Sequence, residues 1–162
     1  MENLKKLFND DRAIELPINI VVMLVVGMVA LAALVAIIPP PTKNMSVTIV
    51  ESGEQVTGVS PGNTVIVDST TATSPFDVDV KISVSDPDGY PVRDANVILR
   101  GLGGVATGTT DNNGNCSLST STSSSPVSLG ANQNEGSMDL SISTDGFYDF
   151  EKKDAVMIVR TS

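Results

Sequence analysis

Histidine is absent from the chain, and cysteine occurs once, at Cys116. Without histidine the usual general base is missing, together with the Ser-His-Asp and Cys-His arrangements and the commonest metal ligand. Cys116 has no basic neighbour in sequence, and the alternate residues around it are apolar or small. That pattern predicts a buried structural thiol rather than a nucleophile. Gly101-Leu102-Gly103-Gly104 lacks the Lys-Ser/Thr of a phosphate-binding loop. The chemistry expected is therefore non-enzymatic, with no cofactor and no resident metal. Two groups of residues invite other chemistry. Asp86, Asp88 and Asp111 are oxygen donors that could gather around Ca²⁺, which takes roughly six to eight oxygens. Asp is also a good turn residue, and that reading is preferred. Asn44-Met45-Ser46 and Asn115-Cys116-Ser117 are N-glycosylation sequons. The adjacency of Asn115 to an expected strand counts against the second.

The element behind these residues is Leu16 to Ile38, a run without a charged side chain. As a helix it would span roughly 35 Å, enough for a hydrocarbon core of about 30 Å. Lys5, Lys6 and Arg12 precede it, and Lys43 follows, which favours an N-terminus in the cytoplasm and a C-terminal part outside. The apolar run is longer than the h-region of a secretory signal, and no small-x-small cleavage site follows it. Gly27, Ala32 and Ala36 are small, and Ala32/Ala36 has the spacing that lets helix backbones approach closely. Pro39-Pro40-Pro41 ends the helix and forms a short stiff spacer.

The upstream border carries a resemblance. Arg12-Ala13, then Ile14-Glu15-Leu16-Pro17 and the apolar run, resembles the class III signal of archaeal type IV pilin-like proteins. The resemblance implies a cut by a prepilin-type signal peptidase between Ala13 and Ile14, with Arg12 and Ala13 as the basic-small pair. The helix would stay on the mature protein, and Glu15 would be its second residue. An uncut single-pass anchor is the competing reading.

After Ser46 the apolar period is two. Ser46–Val50, Thr64–Val67, Phe76–Val84, Ala95–Leu99, Ala106–Thr110, Cys116–Ser119, Val127–Leu129, Met138–Ile142 and Ala155–Val159 read as strands. In the strongest, Phe76, Val78, Val80, Ile82 and Val84 share one face, and Asp77, Asp79 and Lys81 face solvent. Asp86-Pro87-Asp88-Gly89 is a turn, Ser119–Ser125 a loop and Gly101–Gly104 a flexible connection. Short strands with frequent turn signals predict an antiparallel β-sandwich over residues 46–162. The full expectation is a leader at 1–13, an assembly helix at 14–38, a proline-rich junction at 39–45 and an all-β Ig-like domain. Asp86 to Leu99, followed by Gly108 to Leu118, is similar to bacterial Ig-like and carboxypeptidase-regulatory repeats, whose signature is a D-x-x-G-x-P-V hairpin and a T-D-x-x-G turn.

Residues 1–43 balance their charges, so the net charge of −9 sits on residues 44–162. An acidic domain repels nucleic acid. The function expected is a structural subunit of a filament on the cell surface. Its helices would pack as a homo-oligomeric core after a period in the membrane, and its β-domains would form the sheath. The alternative is a membrane-anchored surface protein with an Ig-like binding or adhesion domain.

Overall fold

A computed structural model describes residues 12–39 and 41–162, with side chains from Ile18 apart from Pro40. Residues 1–11 of the expected leader lie outside the described residues. The chain divides into two units between Pro41 and Thr42.

The first unit contains α1, Arg12–Ile37. From Leu16 on, the charge-free run makes every turn of this helix apolar all round. Its C-terminus falls where the prolines withdraw their N–H groups.

The second unit is a β-sandwich of two sheets. Its strands are β1 Ser46–Glu54, β2 Gly58–Pro61, β3 Thr64–Asp68, β4 Val78–Ser85, β5 Asn96–Gly101, β6 Gly104–Thr109, β7 Asn115–Ser119, β8 Glu135–Ser143 and β9 Phe150–Thr161. One sheet has the order β2-β1-β4-β7, the other β3-β9-β8-β5-β6. Pairing is antiparallel except between β3 and β9, which run parallel with Val65 opposite Ile158. The sandwich is thus mixed at one edge, where an all-antiparallel arrangement was expected. A short strand crossing from one sheet to the other meets the last strand running the same way, and alternation within either strand carries no information on that.

The core lies between the sheets. Val78, Val80, Ile82 and Val84 of β4 contribute one face, and Val97, Leu99, Leu140, Ile142, Val156 and Ile158 contribute the other. At about 25 cal/mol per Å² of apolar surface removed from water, burial of these branched side chains supplies most of the stabilisation in a domain without tryptophan or a disulfide.

Several local expectations need correction. Val127–Leu129 is no strand: Val127 forms a single bridge to Phe76, and both are buried. β2 went unforeseen because Gly58–Pro61 has no alternation to read; it is fully exposed and pairs only with β1. Gly101–Gly104 is a tight hairpin rather than a flexible connection. Gly101 pairs with Gly104 across a two-residue turn, with Leu102 at φ 52° and Gly103 at φ 82°. On β4, Lys81 is exposed as expected, but Asp79 and, just before the strand, Asp77 are half-buried. Asp77 accepts a hydrogen bond from Thr120 Oγ1 at 2.9 Å. Lys43, Asn44 and Met45 belong with the sandwich: Lys43 bridges to Phe147, and Met45 is buried.

Candidate functional site: the exposed helix and the turns around Lys43

The helix and one end of the sandwich carry the residues singled out by sequence. Along α1, Ile18–Ile37 has a mean hydropathy of 3.1, and none of it is buried within the chain. Even its least exposed large side chains, Val22 and Val25, are 52% accessible. The helix is long and apolar enough to cross a membrane. Arg12, Ala13 and Ile14 lie at its start, so the Ala13–Ile14 peptide sits within the first helical turn. Ala32 and Ala36, one turn apart, share a face. Gly27 does not join them: five residues before Ala32, it is turned about 140° around the axis. A side chain at Gly27 would meet nothing within 4 Å.

The turns at the N-terminal end of the sandwich are built by aspartate. Asp86 Oδ1 accepts the backbone N–H groups of Asp88 at 3.0 Å and Tyr90 at 2.9 Å. Asp111 Oδ1 accepts those of Asn113 at 2.8 Å and Asn115 at 2.9 Å. Each turn is closed by a glycine N–H donating to the aspartate carbonyl, Gly89 to Asp86 and Gly114 to Asp111, both at 3.0 Å. Those glycines sit at φ 86° and 74°, which side-chain-bearing residues seldom adopt. The two turns are joined where Val84 N–H donates to the Gly114 carbonyl at 2.8 Å. The repeated D-x-x-G pattern is therefore a turn device. The structure does not assemble Asp86, Asp88 and Asp111 as a ligand set for calcium. Among the described residues no group of three or more His, Cys, Asp or Glu is placed to hold a metal ion.

Lys43 ties the incoming chain to these turns. Its N–H donates to the Gly146 carbonyl at 3.0 Å, and its carbonyl accepts the Tyr148 N–H at 2.9 Å. Its Nζ lies 3.5 Å from Asp86 Oδ2 and 3.8 Å from Asp88 Oδ2. This engagement of Lys43 has no sign in the sequence, since a lone lysine in a linker has no periodic signal.

The backbone N–H of Tyr90 holds the Asp86 carboxyl below its ordinary value, helped by the Asp88 N–H and by Lys43, while burial opposes them. The carboxylate is thus favoured by folding. Its stabilisation is present above the unfolded value near 3.8 and is lost as pH falls through the lower folded one. Asp86→Asn is expected to unfold at a lower temperature than the parent at pH 7. The gap between them should narrow below about pH 4, where the parent also loses its carboxylate. Thermal unfolding followed by circular dichroism from pH 3 to pH 7 checks this; a gap independent of pH would refute it.

Cys116 is free and buried on β7. Burial, and then the negative charge of Asp111, push its thiol up, away from nucleophilic thiolate. The two sequons differ in setting. Asn44 is exposed in the segment before β1, whereas Asn115 is half-buried at the start of β7, its N–H held by Asp111. On the outer face of the β1-β4-β7 sheet, a shallow depression of about 440 Å³ is bounded by Glu51, Asp79, Lys81 and Ser117. Glu51 and Lys81 pair across it at 3.4 Å. It holds two carboxylates, one ammonium and hydroxyls, with no cysteine to serve as a nucleophile.

No protein-family model matches the chain, and no curated protein matches it.

Proposed function

We propose that the chain is a structural subunit of an extracellular type IV pilus-like filament. The observation that supports it is the pairing of a wholly exposed apolar helix with a sandwich that completes its own core. Such a helix needs an apolar environment that its own chain does not supply. Before assembly the bilayer provides one. In the filament the helices of other copies do, each helix gaining about 25 cal/mol per Å² relative to water. A head-to-tail contact that does not close generates an open helix of subunits, with the acidic domains outward. The Arg12-Ala13/Ile14 border fits processing by a prepilin-type signal peptidase on the cytoplasmic side.

Pro17 bears on that processing. Proline has no N–H to offer the carbonyl four residues earlier, and that carbonyl belongs to Ala13, the acyl side of the bond to be cut. Pro17→Ala supplies the missing donor and is expected to slow cleavage about fivefold, the worth of one helical hydrogen bond near 1 kcal/mol. Time courses of cleavage in peptidase-containing membranes check this, and unchanged rates would remove the role.

N-terminal sequencing of the native protein tests the main reading: a mature start at Ile14 supports it, and an intact Met1 overturns it. Negative-stain microscopy of sheared surface material tests assembly, where detergent-soluble monomers alone would count against it.

One feature favours a second reading, a single-pass anchored surface protein with a binding or adhesion domain. Many pilins carry a glutamate at the fifth mature position, and here Glu15 would be second. Ala32→Leu separates the two. A helix left in lipid accepts the larger side chain, so membrane retention should stay at parental level. A helix packed closely on its Ala32/Ala36 face should lose filament yield. Quantifying both fractions after shearing decides it.

A further inference from the structure

Among the described residues, Asp79 alone has a buried side-chain oxygen, Oδ1, without a hydrogen-bond partner. It lines the depression on the outer face of the β1-β4-β7 sheet. Its cross-strand neighbours, Gly53 on β1 and Ser119 on β7, are both small. A Cβ at Gly53 would collide with the Gly58 carbonyl, so β2 closes over β1 there, and Val59 forms one wall of the depression. Lys81, two residues along β4, pairs with Glu51 instead. The Asp79 carboxylate is therefore met by no cation among the described residues, and a half-buried charge left so is costly.

The other sheet carries a complement. Of the sandwich's cations, Lys43 and Lys81 are paired, and Arg93 shares a depression with Asp94, Asp145 and Asp149. Arg100 stands opposite Asp139 across β5 and β8, and Arg160 Nη1 donates to the Ala131 carbonyl at 3.5 Å. Lys152 and Lys153 remain, adjacent and exposed on β9. They stand at the bulge between β8 and β9, where Asp154 takes φ 52°. The acids there are engaged in building it: Asp139 accepts the Asp154 N–H at 2.9 Å, and Asp154 accepts the Ser137 hydroxyl. Among the described residues neither lysine is paired with a carboxylate.

We propose that the depression around Asp79 seats a lysine of the Lys152-Lys153 pair of a second copy, and that this is the head-to-tail contact between sandwiches of the filament. The proposal rests on the filament reading of the preceding section. The ammonium neutralises Asp79, and the methylenes of its stem lie on Val59, which is 51% exposed. The depression lies on one sheet and the lysines on the other. The contact thus joins two different surfaces, and each copy keeps a free depression at one end and free lysines at the other. Such a pair sets register between copies more than it adds affinity.

Ser119→Cys and Glu151→Cys in one full chain leave Asp79 and both lysines in place. Sheared filaments of this variant, treated with an oxidant, should give a ladder of disulfide-linked multimers, and either change alone should give none. Lys152→Glu with Lys153→Glu sets like charges against Asp79 and should lower filament yield about tenfold or more. Adding Asp79→Lys should restore the yield, which a merely structural role could not do. Circular dichroism of each variant separates a lost contact from a lost fold. Filaments without a ladder, or full yield from the lysine reversals, overturn the contact and leave the filament reading standing. Crosslinking that stops at dimers makes the contact isologous and overturns it too. A parent chain that forms no filaments overturns the filament reading and the contact with it.

Discussion

Met28→Lys is expected to weaken membrane retention and to abolish filament formation while leaving the sandwich folded. Met28 lies at the middle of Ile18–Ile37 and is 62% exposed, so the new ammonium stands within a run that offers it no opposite charge. A lysine at the centre of a spanning helix costs about 2.5–3.5 kcal/mol on insertion scales, a factor of roughly a hundred or more. In a filament core the same charge would meet apolar neighbours from other copies, where desolvation is costlier still. Every core residue of the sandwich lies at or beyond Met45, so its unfolding transition should match the parent's. Flotation, microscopy of sheared material and circular dichroism measure the three outcomes. Normal assembly by Met28→Lys would show that α1 is never placed in an apolar environment.

Thr110→Val is expected to be among the most damaging near-isosteric changes in the sandwich. Thr110 is 3% accessible. Its Oγ1 donates to the Val92 carbonyl at 2.7 Å and accepts the Ala95 N–H at 2.9 Å, stitching the segment before β5 to the end of β6. Valine fills the same space without the hydroxyl, leaving a buried carbonyl and a buried N–H unpaired at about 1–3 kcal/mol each. The total of about 2–6 kcal/mol is a large part of the stability of a domain this size. Thr110→Ser keeps the hydroxyl and loses one methyl, so it should recover most of the difference. Urea unfolding of the three proteins checks the order parent, Ser, Val. A valine variant as stable as the parent would show that the two hydrogen bonds contribute nothing net.

Much of the fold was legible in residue order because it depends on period. β4 reads as a strand because Val78, Val80, Ile82 and Val84 alternate with Asp79, Lys81 and Ser83, and one face of a pleated strand is all that a two-layer sandwich can bury. The D-x-x-G turns read as turns because their chemistry is local: the aspartate, the N–H groups it accepts and the glycine lie within five residues. The helix reads from length and lack of charge alone. What misled were segments whose structure depends on distant partners. Val127 has strand-like neighbours, but its only ladder contact is Phe76. Asp77 alternates as if for solvent, yet it is held by Thr120, forty-three residues away.

By itself the sequence determined the apolar helix, the proline stop, the sandwich class, the buried Cys116 and the absence of histidine chemistry. Each follows from composition, period or a contact within a few residues. Only the tertiary structure decided the parallel seam between β3 and β9, the half-burial of Asp77 and Asp79, and the engagement of Lys43 with Asp86, Asp88 and Tyr148. It also brought both tyrosines to the turns around the incoming chain. Those features join residues dozens of positions apart, and their partners are chosen by how two sheets close on each other. A local pattern carries no record of that choice, because the same alternation fits a strand running in either direction and against any neighbour.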